Sequence, residues 1–218
     1  MPKSGSIRRQ NLICMEAWRE AKYPVMERFL TVQGEGAFTG ASAWFIRLGG
    51  CDVGCSWCDV KESWDAHAHP KHTAFELVEE AKRSGAPICV VTGGEPAMHD
   101  LSALTEGLHA AGMRTHIETS GTHPLTGRWD WVTLSPKRFK PTLSEEYRSA
   151  HELKVVVVNR HDLEWAEEHA QRVSADASLY LQPEWDRRER VLPYIMSHLK
   201  DHPRWRISLQ THKYIGLP

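Results

Sequence analysis

Cys51, Cys55 and Cys58 stand in the run CDVGCSWC, a C-x3-C-x2-C spacing that takes three of the chain's 5 cysteines. Thiolates are soft ligands, suited to iron–sulfur clusters or to zinc. Structural zinc normally takes about four protein ligands, often in two separated pairs. Here no fourth cysteine lies near the triad in sequence. Three thiolates on a four-iron cluster leave one iron open to a small molecule, which a cluster used only for electron transfer does not need. A zinc knuckle completed by one of the 13 histidines is the alternative, and it explains none of the other polar loops. Cys89, in the apolar run PICVV, reads as a small core residue, and Cys14 as an incidental thiol.

Other chemistry-bearing residues recur after apolar runs. Thr92-Gly93-Gly94-Glu95-Pro96 offers glycines that let a ligand approach the backbone and a carboxylate, Glu95, that can receive an ammonium group. Read alone, it is equally a turn before a helix. Ser120 in ETSGT, Ser135 and Lys137 in SPK, and Gln182 in LQPEW are cap and turn formers in isolation. Together they can line one cavity. Glu35 and Glu118 are either site carboxylates or turn caps.

Short β-branched and aromatic runs that precede these loops predict strands at 43–48, 87–92, 113–119, 130–135, 152–158, 178–182 and 205–210. Between them TAFELVEEAKRSG reads as a helix capped by Thr73 and stopped at Gly85. HDLSALTEGLHAAG, HDLEWAEEHAQRV and RERVLPYIMSHLK read as helices too, the last kinked or begun at Pro193. Strand–helix alternation implies an α/β fold with a mostly parallel sheet and right-handed crossovers. Sites in such folds lie at the carboxyl ends of the strands, where the unusual loops fall. Few helices for the number of strands points to a partial, open barrel.

The chain has 218 residues, 41% hydrophobic and 25% charged, with formal net charge -1. These values fit one soluble domain, with an arm over 1–22 and the body over 23–218. In the arm, Arg8 and Arg9 read as solvated charges. There is no apolar run of signal-peptide or membrane-span length, so a cytoplasmic protein with no membrane partner is expected. The near-neutral charge and 9 scattered tryptophans argue against a nucleic-acid binder.

The triad spacing resembles the signature of the radical S-adenosylmethionine (SAM) superfamily. More narrowly, the segments ERFLTVQGEGAFTGASAWFIRLGGCDVGCSWCD, VVTGGEPAMHDL, HIETSGT, VTLSPK, YLQPEW and ISLQTHKYIGLP resemble the 7-carboxy-7-deazaguanine synthases, from about residue 24 to 218. The resemblance implies an incomplete TIM-like (β/α) barrel working as a homodimer. It implies a [4Fe-4S] cluster on Cys51, Cys55 and Cys58, with SAM chelated at the open iron, used catalytically and re-formed. The implied reaction is a lyase step in queuosine and deazapurine biosynthesis, a tRNA-modification pathway. It turns 6-carboxy-5,6,7,8-tetrahydropterin into 7-carboxy-7-deazaguanine with loss of ammonia, fed by a reducing protein such as flavodoxin.

Carried over by position, Val32, Gln33, Gly34, Arg47 and Thr92 match substrate contacts. Trp57, Cys58, Asp59, Gly94, Ser135, Pro136, Lys137, Gln182, Pro183, Glu184 and Trp185 match SAM contacts. The resemblance also places the terminal carboxylate, at Pro218, near the substrate, and implies that a tag there impairs turnover more than one at the other end. One position departs. The family commonly carries a hydroxyl residue two places after the last cluster cysteine, where it helps hold Mg2+. Val60 has no side-chain oxygen for that hard cation. Competing readings are a glycyl-radical-type activating enzyme, which shares the triad but acts on a protein, and a non-catalytic iron–sulfur or zinc module.

Overall fold

A computed structural model describes residues 18–218. Arg8, Arg9 and Cys14 lie outside them. The strands are β1 (Lys22–Val32), β2 (Ser42–Leu48), β3 (Lys71–Thr73), β4 (Ile88–Gly93), β5 (Arg114–Thr119), β6 (Trp131–Leu134), β7 (Glu152–Val157), β8 (Ser178–Pro183) and β9 (Trp205–Ile207). They form one open sheet in the order β3-β1-β2-β4-β5-β6-β7-β8-β9. β1 pairs antiparallel with β2 and β3, and every pairing from β2 through β4 to β9 is parallel. The sheet curls without closing, as an incomplete TIM-like barrel.

The helices are α1 (Ala74–Ser84), α2 (Ser102–Ala110), α3 (Glu146–Ser149), α4 (His161–Ala170), α5 (Arg188–Asp201) and α6 (Thr211–Ile215). α1 starts and stops where its sequence indicates. The Thr73 hydroxyl accepts from Glu76 N at 3.2 Å, and the Glu76 carboxylate accepts from Thr73 N at 2.8 Å. Gly85 ends the helix in the left-handed region.

Two apolar layers cover the convex face. Leu77, Leu104 and Leu108 from α1 and α2 pack on Ile46, Val91 and Ile117. Leu163, Ala166, Val191 and Ile195 from α4 and α5 pack on Leu153, Val155 and Leu181. Side chains alternate along a strand, so Glu118, Glu152 and Lys154 face the other, concave side. That parity places charge inside the barrel.

Several elements differ from the sequence expectation. β1 was legible only as motif residues, because an 11-residue strand paired on both edges and bulged between Val25 and Glu27 shows no clean alternation. α5 begins at Arg188 and runs through Pro193. Pro193 is the sixth residue of that helix, so the helix runs on with one missing backbone bond, the one to Glu189 O. β9 stops at Ile207, and the residues after it leave the sheet for the cavity. Packing already begins at Trp18, whose ring lies 6.5 Å from Phe75.

Candidate active site

The cysteine loop leaves β2 and is held by backbone on both sides. Gly50 N donates to Ser63 O at 2.7 Å and Cys51 N to Trp64 O at 3.1 Å. From β4, Gly94 N donates to Leu48 O at 3.0 Å and Glu95 N to Gly50 O at 2.8 Å. A Cβ at Gly94 would strike Gly50 O and stand 2.6 Å from Cys51 Cβ. Gly94→Ala is therefore expected to displace Cys51 and lower iron per chain at least twofold after reconstitution, read by iron analysis. Full iron content would show that the two loops move apart freely.

Glu95 does not present a free carboxylate. It accepts from Ala97 N at 3.0 Å, Thr119 Oγ1 at 2.5 Å, Ser120 N at 2.8 Å and the Ser120 hydroxyl. It thus ties the TGGEP loop to the end of β5. Ser120, also read as a candidate contact, is committed to this tie.

The next strand ends build a polar wall. Ser135 N donates to Thr119 O at 2.8 Å, and Lys137 Nζ donates to Ser135 Oγ at 2.6 Å. Lys137 lies 5.4 Å from the centre of the Trp57 ring, and burial pushes its pKa below the usual lysine range. At the end of β8, Gln182 Oε1 accepts from Ser208 Oγ at 2.8 Å, and just after it Glu184 Oε1 accepts from Asp186 N at 3.1 Å. Glu184 Oε2 is buried with no hydrogen-bond partner, and Arg187 stands 3.7 Å away. Lys213 crosses the rim, donating to Asp59 Oδ2 at 2.6 Å and lying 5.2 Å from the Trp185 ring.

A charged network fills the floor. Lys154, 4% exposed, pairs with Glu35 and lies 3.4 Å from Glu118. Gln33 donates to Glu118 at 3.0 Å and accepts from Glu35 N at 3.0 Å, so its amide ties the Glu118 carboxylate to the backbone at Glu35. Gln210 donates to Glu35 at 3.0 Å. Gly34 O accepts from Thr211 N at 2.9 Å and Oγ1 at 2.6 Å, which seats α6 on the loop after β1. Thr31 Oγ1 donates to Pro218 O at 3.3 Å. Arg47 gives its Nε to Glu27 at 2.6 Å, and its strand neighbour in register on β4 is Thr92.

Burial pushes the Glu35 carboxyl up, but the Lys154 charge and hydrogen bond outweigh it and hold it at about 2. A carboxyl lower in the folded than in the unfolded chain stabilises the fold above its unfolded value, about 4.3. That contribution is lost as pH falls toward 2. Glu152, raised by burial, opposes the trend. Glu35→Gln is expected to flatten the acid limb of stability between about pH 4.3 and 2, followed by urea unfolding across pH. An unchanged limb would assign acid loss to other carboxylates.

These walls enclose a cavity of about 460 Å³. Its lining holds Cys51, Cys55, Cys58, Val32, Gln33, Gly34, Glu35, Arg47, Trp57, Asp59, Thr92, Gly94, Glu95, Glu118, Ser120, Ser135, Lys137, Gln182, Pro183, Glu184, Trp185 and Pro218. Pro136 is buried in the turn between Ser135 and Lys137, behind the lining. The sequence reading missed Lys154, Gln210 and His212, which also line it. Lys154 had a signal, a charge inside the apolar strand ELKVVV. His212 had none beyond its place in the terminal segment.

The donors suit a multi-iron cluster and SAM. Among the described residues, the three cysteine sulfurs are not gathered within 4.8 Å of one another. One tetrahedral zinc would draw thiolates to about 3.8 Å. The three thiols share one cavity wall with the Lys137 ammonium group and the Glu184 carboxylate, a cation and an anion that suit the charged ends of SAM.

Residues 45–159 match the Radical SAM superfamily. The chain is 52% identical to the 7-carboxy-7-deazaguanine synthase of Flavobacterium psychrophilum, covering 89% of this chain and 92% of that protein. It is 49% identical to the synthase of Synechocystis, over 89% and 93% of the two chains. The crystal structure of QueE from Escherichia coli superposes with a TM-score of 0.75 at 35% identity, covering 88% of this chain and 95% of that one.

Proposed function

From the premise that this chain belongs to the 7-carboxy-7-deazaguanine synthase family of radical SAM enzymes, we propose how its own residues serve the family's reaction. The chain is a radical SAM lyase of the queuosine pathway that uses a [4Fe-4S] cluster and SAM. Bound together, those two supply a 5'-deoxyadenosyl radical able to take hydrogen from carbon.

In this reading Cys51, Cys55 and Cys58 hold the cluster. Trp57, Asp59, Gly94, Ser135, Lys137, Gln182, Pro183, Glu184 and Trp185 seat SAM. Pro136 shapes the turn that presents its neighbours. The substrate is 6-carboxy-5,6,7,8-tetrahydropterin. Glu27 holds Arg47 by Nε, leaving the outer N–H groups of the fork to take the substrate carboxylate in a bidentate pair. Lys154 pairs with Glu35 and stands beside Glu118, so that the Glu118 carboxylate is held where it can accept from the pterin's amino and N–H edge. Backbone groups of Val32 and Gly34, the Thr92 hydroxyl and Pro218 complete the contacts, and Gln33 acts through the Glu118 carboxylate it holds.

The observation that carries this reading is an arginine fork and a lysine-held carboxylate pair in one cavity with the cysteine loop. The side chains there do not supply a magnesium site. Val60 has no oxygen and Asp59 is paired with Lys213, so a cation would rest on substrate, water or backbone oxygens. The reading extends to a homodimer, a reducing protein such as flavodoxin, and one domain over 23–218 behind an arm at 1–22. A cytoplasmic address is supported by unpaired cysteines that must stay reduced to bind iron. No helix among the described residues is long and apolar enough to cross a membrane.

The test is anaerobic turnover of the reconstituted chain with the tetrahydropterin, SAM and dithionite, followed by mass. Product without stoichiometric SAM loss supports the assignment. No product from a cluster that responds to SAM would discard the pterin as substrate.

A further inference from the structure

A second group of ligand atoms lies outside the reaction cavity. Glu167 sits in the last turn of α4, His198 in the last turn of α5, and His202 is the residue that caps α5. Each helix returns to the start of the next parallel strand, so these ends stand at the opposite rim of the sheet from the cysteine loop. Spacing of four stacks the imidazoles on one face, with ring centres 4.0 Å apart and planes 11° apart. His198 Nε2 is 2.8 Å and His202 Nδ1 3.1 Å from the same atom, Glu167 Oε1. All three ligand atoms lie within 4.8 Å of one another. Trp205, buried at the start of β9, donates from Nε1 to Glu167 Oε1 at 2.7 Å.

We propose that Glu167, His198 and His202 form a binding site for a borderline divalent transition-metal ion, zinc or nickel in class. Two imidazoles and a carboxylate are ligands of that class. Zinc bonds of about 2.0–2.2 Å set tetrahedral ligand atoms about 3.3 Å apart. The imidazole nitrogens stand 2.8 and 3.1 Å from Glu167 Oε1, and the stacked rings turn out of parallel to aim both at one ion. The Trp205 indole donates to Glu167 Oε1, the oxygen nearest both imidazoles, and so orients the carboxylate as an outer hydrogen bond does at metal sites. His202 is exposed, so an ion and its completing water have access. The ion clamps α4 to α5 and so fastens β9, the edge strand of an open sheet. It takes no part in the reaction.

The experiment uses the full chain without a histidine tag, with its iron–sulfur cluster assembled so that the cysteines are occupied. Zn2+ is titrated anaerobically by calorimetry while cluster absorbance is followed. One Zn2+ per chain is expected, with Tm raised by about 5–10 °C at a hundredfold excess over Kd. His202→Gln and Glu167→Gln are each expected to weaken binding more than about tenfold, and Trp205→Phe about tenfold, with turnover unchanged when no zinc is added. His202 is exposed and the Glu167 change is isosteric, so both variants should fold. Equal Zn2+ affinity and an equal Tm rise in those two variants would overturn the site. So would no zinc binding by the parent chain, leaving the three residues a hydrogen-bonded helix cap only.

Discussion

Replacing Lys154 with methionine is expected to cost about 3–5 kcal/mol of stability and nearly all turnover. The ammonium group is 4% exposed and faces Glu35 and Glu118, with Glu152 two residues away on the same side of β7. Burial lowers its pKa, but those three carboxylates more than reverse this and hold it above the ordinary lysine value. Without it, Glu35 and Glu118 remain half-buried with no countercharge. They must take up protons or move apart, and either change spoils them as acceptors. Urea unfolding reads the first effect and anaerobic turnover the second. The double change Lys154→Met with Glu35→Gln is expected to recover part of the stability and none of the activity, because it removes the stranded charge without restoring the acceptor pair. Full activity in Lys154→Met would remove the network from the reaction.

Changing Cys58 to serine is expected to abolish the cluster and lower turnover by about 10⁶-fold or more, to below detection, since the bound cofactor carries the hard step. The fold should survive. The cysteine loop is held by the backbone of Ser63, Trp64 and Glu95 and not by its thiols. Far-ultraviolet circular dichroism should therefore match the parent, while iron content falls. Cys89→Ala is the control. Cys89 is buried in β4 between strands, and burial alone pushes its thiol up. It should keep its iron and its activity and lose about 1 kcal/mol of packing. Iron loss in the Cys89 variant, or iron retention in the Cys58 variant, would reverse the assignment of cluster and core cysteines.

Much of the fold could be read from the chain. Parallel strands buried on both faces are written as unbroken apolar runs, so VVT in β4 and VVV in β7 announced themselves. Thr73, Glu76 and Gly85 mark both ends of α1 by local hydrogen bonding alone. β1 was harder, because it pairs with β2 along one edge and with β3 at its start and bulges between Val25 and Glu27, so its burial follows no clean alternation.

The candidate site divides in the same way. Cys51, Cys55 and Cys58 were legible because their chemistry depends on residue type and short spacing, both properties of the chain itself. The loops at the strand ends were legible because glycine, proline and small polar residues are placed there by backbone geometry. Which of those groups are already paired with one another depends on contacts across the barrel. The sequence leaves Glu95 a free carboxylate, and the structure gives it to Ala97, Thr119 and Ser120. The sequence leaves Gln33 free to read a substrate, and the structure sets it between Glu35 and Glu118. Lys154 stands 119 residues from its partner Glu35, and the charge pair exists only because strand parity turns Lys154 inward and the loop after β1 brings Glu35 onto it. Local chemistry is encoded locally, so the cluster loop, the caps and the buried strands belong to the sequence. The charge pairing and ligand-facing geometry of the cavity arise between strands far apart in the chain, and only the tertiary structure decided them.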